Sequence, residues 1–80
     1  MKILKFSASW CAPCKVLETR MKDYKDLPVE NVDIEGDMPK SIKYKIARLP
    51  TLVLVDDDGA EKARQTGTAM PPPEWAEEEE

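Results

Sequence analysis

The sequence predicts an α/β fold: one four-stranded mixed sheet, flanked by two main helices and a short C-terminal helix or tail. Three observations carry this prediction. Short runs near residues 2–7 and 29–34 alternate at period two, the spacing of a half-buried strand. Between and after them, apolar residues recur at three- and four-residue steps, the spacing of one helix face. Thr51 to Val55 is continuously apolar and is followed by Asp57-Asp58-Gly59, a turn that returns the chain as a paired strand.

Taken in order, residues 2–7 (KILKFS) form the first strand around Ile3, Leu4 and Phe6. A helix follows from Pro13, whose missing N–H costs nothing in a first turn. Cys14, Leu17, Met21 and Tyr24 share one face of it, and it runs to about Asp26, where Leu27-Pro28 ends it. Residues 29–34 (VENVDI) set Val29, Asn31 and Asp33 against Glu30, Val32 and Ile34 in a second strand. In residues 38–47 the four-residue spacing of Met38, Ile42 and Ile46 predicts a second helix with those three in the core. Thr51–Val55 reads as the central strand, covered on both faces. Residues 60–67 pair with it. Strand–helix–strand at the start implies a parallel pair, and the hairpin adds an antiparallel one. The domain occupies residues 1–70. Residues 71–80, three prolines, Trp75 and a glutamate run, are a tail or a short helix that is marginal by length.

Eighty residues leave no room for a second core. No apolar run is long enough to span a membrane, and charge returns too early near Met1 for a signal peptide. A cytoplasmic chain is expected on that ground. The net charge of −4 is concentrated at one end: Glu74 and Glu77–Glu80 supply five of the 16 acids. The remaining residues are close to neutral. Lys40, Lys43, Lys45 and Arg48 read as a solvated helix face, because no aromatic residues interleave with them as a nucleic-acid surface requires.

Cys11 and Cys14 are the only cysteines. A structural disulfide across two intervening residues closes a loop too small to remove much chain entropy. A zinc site needs four ligands, and the chain offers two cysteines and no histidine, so a second chain would have to complete it. A redox pair fits the position between a strand and a helix start. There, unpaired N–H groups and the positive helix end stabilise a thiolate. On this reading Cys11 is the more exposed and more acidic sulfur, and Cys14 lies one turn in on the inward face.

Trp10-Cys11-Ala12-Pro13-Cys14-Lys15 resembles the active-site motif of the thioredoxin family, which commonly has Gly where Ala12 stands. Leu49-Pro50-Thr51, Gly59 and Gly67 match the family in order and spacing over roughly residues 2–70. The glutaredoxin pattern of CPYC and TVP is absent. The resemblance implies strand order 2-1-3-4, a cis Pro50 facing the cysteines, Cys11 as nucleophile and Cys14 as resolving thiol. It implies a flat substrate rim of Trp10, Ala12, Pro13, Leu49, Pro50 and Thr66-Gly67. Trp10 also reads as a partly buried packing aromatic. Lys15 and Arg48 would give the rim a positive tone.

Departures from the family are equally specific. The family's extra N-terminal strand and helix are missing before the first strand, and its last helix is reduced to a stub. Its buried aspartate, six residues before the first cysteine, is replaced by Lys5, and the lysine usual in the next strand corresponds to Asn31. Lys5 then has two readings. It is buried near Cys14 and serves as acid–base or electrostatic partner, or it reaches solvent across an open face and water moves the proton. The second is favoured.

The activity implied is protein-disulfide reduction by dithiol–disulfide exchange. The centre is the Cys11–Cys14 pair alone, without cofactor or metal. The donor would be a thioredoxin reductase-like flavoprotein, and the acceptors disulfide-containing proteins, ribonucleotide reductase among them. The monomer is the default, with no nucleic-acid or membrane partner. Two alternatives stay open: a binding module or subunit without redox turnover, and a glutaredoxin-like or isomerase redoxin.

Overall fold

A computed structural model describes residues 1–77; Glu78–Glu80 of the acidic tail lie outside it. The elements are β1 (Lys2–Ser7), α1 (Ala12–Arg20), β2 (Val29–Asp33), α2 (Met38–Lys43), β3 (Thr51–Val55), β4 (Glu61–Thr66) and α3 (Pro73–Glu77). The sheet order is β2-β1-β3-β4. β1 pairs with β2 in parallel, Leu4 opposite Glu30 and Phe6 opposite Val32. β3 runs antiparallel to both β1 and β4.

The period of two in β1 and β3 sends alternate side chains to two cores. Ile3, Leu52 and Leu54 face α1 and α3, where they meet Leu17, Met21, Leu27 and Trp75. Leu4, Phe6, Val53 and Val55 face α2, with Val32 and Tyr44. Every residue of β3 is buried, as a continuously apolar strand between two layers must be.

α1 is shorter than the spacing predicts. It ends at Arg20, with Met21 as C-cap and Lys22 N–H bonding back to Thr19 O in a tighter turn. Met21 stays buried and Tyr24 half-buried against the same core, because the turns after the helix keep them on the sheet side.

α2 departs further. It ends at Lys43, and Met38 and Ile42, expected in the core, are 64% and 72% exposed. Ile46 is only partly buried. The inward residue is instead Tyr44, the C-cap. Its ring packs 5.9 Å from that of Phe6, and its hydroxyl donates to Gly59 O at 2.5 Å. Asp37 caps the other end by accepting from Lys40 N–H at 3.2 Å. The helix terminates in a left-handed Lys45 (φ 52°), with Ile46 N–H bonding to Ser41 O and Lys45 N–H to Ile42 O. This is the Schellman arrangement, here without its usual glycine.

The C-terminal segment is a short helix and not a loose end through Glu77. Gln65 Nε2 donates to Ala69 O and Met70 O, both at 3.0 Å, and Arg20 Nη1 donates to Thr68 O at 3.0 Å. These contacts fold residues 67–72 back over the sheet. Trp75 is thereby laid on Ile3, Leu17 and Leu54.

Candidate functional site

β1 ends at Ser7, and a bend through Ala8–Trp10 delivers Cys11 to the start of α1. The bend is held by Cys11 N–H bonding to Ala8 O at 3.1 Å. Cys11 is the N-cap of α1, in extended backbone, and its sulfur accepts from Cys14 N–H at 3.2 Å. A sulfur there accepts an otherwise unpaired helix donor and feels the positive end of the helix, which favours its thiolate when reduced. The two sulfurs are bonded to each other, with Cα atoms 5.3 Å apart.

Both cysteines are 5% exposed, so the expected difference in exposure is absent. They differ in the surface they face. Cys11 lines a groove of about 460 Å³ with Trp10, Ala12, Pro13, Ile34, Ile46, Ala47, Arg48 and Leu49. Cys14 lines a separate recess with Ser7, Ala8, Ser9, Lys15, Glu18 and Asp33. Burial of both follows from Ala8, Ile34 and Leu49 packing around the pair.

The opposite wall of the groove is the loop before β3. Leu49-Pro50 is a cis peptide bond. Pro50 is fully buried behind the wall, its carbonyl accepting from Gly67 N–H at 3.1 Å, while Leu49 reaches the groove. Gly67 itself is exposed, adopts φ +98° and does not line the groove. The predicted rim therefore loses Pro50 and Thr66-Gly67 and gains Ile34, Ile46 and Ala47. Ile46 was readable only as a core residue, because its place follows from the left-handed turn at Lys45. Trp10 is 66% exposed, so it is a rim residue and not a packing aromatic. Of the two basic rim candidates, Arg48 lies in the groove and Lys15 on the Cys14 side.

Lys5 is 8% exposed, against the expectation that it would reach solvent over an open face. The end of α1 and the turns after it cover that side, with Glu18, Thr19, Met21 and Lys22 around it. Lys5 lines a cavity of about 520 Å³ that includes Asn31, its partner in β2, and Tyr24. Cys14 is not part of that cavity; Glu18 lines both it and the Cys14 recess. Lys5 makes no side-chain hydrogen bond or ion pair among the described residues. No cluster of three or more metal-ligating side chains occurs among them either.

The thioredoxin family model matches residues 1–71. This chain belongs to the thioredoxin family. It is 33% identical over 69 residues to thioredoxin of Chlamydia trachomatis, covering 81% of this chain and 67% of that one. It is 35% identical over 72 residues to thioredoxin C-2 of Corynebacterium nephridii, covering 84% and 66%. Among solved structures, Fasciola hepatica thioredoxin superposes with a TM-score of 0.71 at 28% identity, over 84% of this chain and 67% of that one. Across its curated relatives the chain spans from about a third to two thirds of their length. Members of the family are thiol–disulfide oxidoreductases, and the bonded pair at the head of α1 has the arrangement that chemistry requires.

Proposed function

We propose that the chain is a protein-disulfide reductase. The observation that carries this reading is Cys11 at the N-cap of α1, bonded to Cys14 and facing a groove walled by the Leu49–Pro50 loop. In the reduced protein, Cys11 thiolate attacks one sulfur of a substrate disulfide. The substrate S–S bond breaks, a Cys11–substrate disulfide forms, and the first substrate thiol leaves. Cys14 thiolate then attacks Cys11 Sγ, the second substrate thiol leaves, and the Cys11–Cys14 disulfide remains. Two electrons pass to the substrate, and the protein is oxidised. Cys11 is the attacker because its sulfur lies on the groove side; Cys14 resolves from behind.

No cofactor or metal enters this scheme. The electrons return from a thioredoxin reductase-like flavoprotein in the cytoplasm, and the acceptors are disulfide-containing proteins such as ribonucleotide reductase. The protein works as a monomer. Family resemblance supports these assignments. Proton exchange at Cys14 goes to water entering its recess, since Lys5 lies in a different cavity. Lys5→Met should leave the rate of disulfide reduction within about twofold; a tenfold loss would return Lys5 to the proton path.

The deciding experiment is equilibration of the Cys11–Cys14 pair against a reference dithiol. A potential at or below about −230 mV supports the reductase. A value of about −180 mV or higher points to an isomerase or oxidase, and a pair that never closes points to a binding module.

A further inference from the structure

Among the described residues, Arg48 is the one charged residue lining the Cys11 groove; the other walls are Trp10, Ile34, Ile46, Leu49 and small apolar residues. Its main chain is fixed. The buried Thr51 hydroxyl donates to Arg48 O at 2.6 Å, which anchors the loop on β3. Its guanidinium is uncommitted: it makes no hydrogen bond or ion pair among the described residues. The other two arginines differ. Arg20 donates to Thr68 O, and Arg64 is held by Glu61 and by Tyr44 O. Two acids flank the groove residue Ile34: Asp33 turns its carboxylate to Glu35 N–H at 2.9 Å and lines the Cys14 recess, and Glu35 neither lines the groove nor pairs with Arg48. A free fork of five donors is matched by an oxyanion taken in two parallel hydrogen bonds, and in an unmodified protein substrate that oxyanion is a carboxylate.

We propose that Arg48 sets substrate specificity: the groove selects disulfides whose reacting cysteine has an aspartate or glutamate within about two residues in an extended segment. This rests on the reductase reading and adds the substrate class to it. Leu49 packs beside the cysteines, so a strand laid along this loop brings its next residues to Arg48. The rest of the groove contributes apolar contact and no charge discrimination.

The test uses three synthetic peptides, each with one cysteine and presented as its disulfide-linked dimer. They are identical except that the two flanking positions are Asp, Asn or Lys. The reduced full chain is mixed with each and the cleavage rate is recorded. The readout is the Asp-to-Lys rate ratio within one protein, so a general change in rate cancels. For the wild-type chain this ratio should be about three- to tenfold at low salt and fall towards one as salt screens the pair. Arg48→Ala should bring it near one, and Arg48→Glu should invert it. Equal rates for the Asp and Lys peptides in the wild type, with the Asn peptide cleaved, overturn the proposal and leave the reductase standing. So does a ratio that survives in Arg48→Ala. Cleavage of none of the three overturns the reductase reading, and this inference with it.

Discussion

On one face of the sheet, Leu17, Met21 and Trp75 seal Ile3, Leu52 and Leu54 with apolar area contributed by two helices. On the other, the six-residue α2 covers Leu4, Phe6, Val53 and Val55 mainly through a single ring, Tyr44. Polar latches surround that ring. Its hydroxyl reaches Gly59 O, Arg64 Nη2 donates to its carbonyl at 2.6 Å, and Lys43 Nζ lies 5.3 Å from its centroid. Lys40, also on α2, reaches Glu30 on β2 at 2.6 Å, and Lys2 reaches the same carboxylate at 2.8 Å. A small domain can close a sheet face with area or with a few oriented bonds. The first is insensitive to geometry and costly to truncate. The second fails in small steps, bond by bond.

Trp75→Ala should therefore be the most damaging of the substitutions considered. Truncating a buried Trp costs about 3–5 kcal/mol, and a domain of this size has only roughly 4–12 kcal/mol in total. Urea unfolding should show a large fall in midpoint. A loss below about 1 kcal/mol would mean that α3 adds little to the core, and the contrast between the faces would collapse.

Tyr44→Phe tests the other face. The ring still packs on Phe6, but the bond to Gly59 O is lost, for an expected cost of about 1 kcal/mol. Tyr44→Ala, which removes the ring as well, should cost several times more. Equal losses for the two variants would show that the hydroxyl alone holds α2 to the β3–β4 hairpin.

Much of this arrangement was legible in the sequence, and the rest was decided by contacts far along the chain. Thr51–Val55 announces a two-faced central strand because every position is apolar or β-branched. Cys11 and Cys14 announce their site because a strand end and a helix start are both local features. The face of α2 was misread. Met38, Ile42 and Ile46 fit a helical stripe, but the stripe that packs is chosen by Tyr44 reaching Gly59, fifteen residues later. Lys5 is enclosed by Glu18, Met21 and Tyr24, whose placement follows from where α1 ends and turns. Groove residues Ile34, Ile46 and Ala47 come from two separate loops, so no single stretch displays them together. No local signal marked the left-handed cap at Lys45, because the glycine or asparagine that usually announces one is absent.

That cap gives a third prediction, of opposite sign. Lys45 holds φ 52°, a conformation that costs a side-chain-bearing residue roughly 1–2 kcal/mol. Glycine removes this strain but returns about 0.5–1 kcal/mol through the greater freedom of the unfolded chain. Lys45→Gly should stabilise the domain by about 0.5–1 kcal/mol, a rise of a few degrees in Tm. An unchanged or lower Tm would mean that Lys45 makes a compensating contact on the α2 face.

The smallest effect belongs to Glu30, and it separates the two faces by pH. Hydrogen bonds from Lys2 first, and then from Lys40, hold its carboxyl well below the ordinary value of 4.5, at about 2. A lowered folded value stabilises the charged form. The contribution is therefore fully present above about pH 4.5 and is lost as pH falls towards about 2. Glu30 is 38% exposed, so solvent screening limits the whole three-residue network to about 1 kcal/mol or less. Comparing wild type with Glu30→Gln cancels the acids common to both, such as Glu61 paired with Arg64. The stability difference should be largest near neutral pH, shrink between about pH 4.5 and 2, and weaken in salt. A difference that stays constant across that range would assign the loss to the hydrogen bonds of the terminal group and not to its charge. The latch from Lys2 and Lys40 to Glu30 would then be a matter of oriented hydrogen bonds, still unlike the apolar area that Trp75 supplies on the other face.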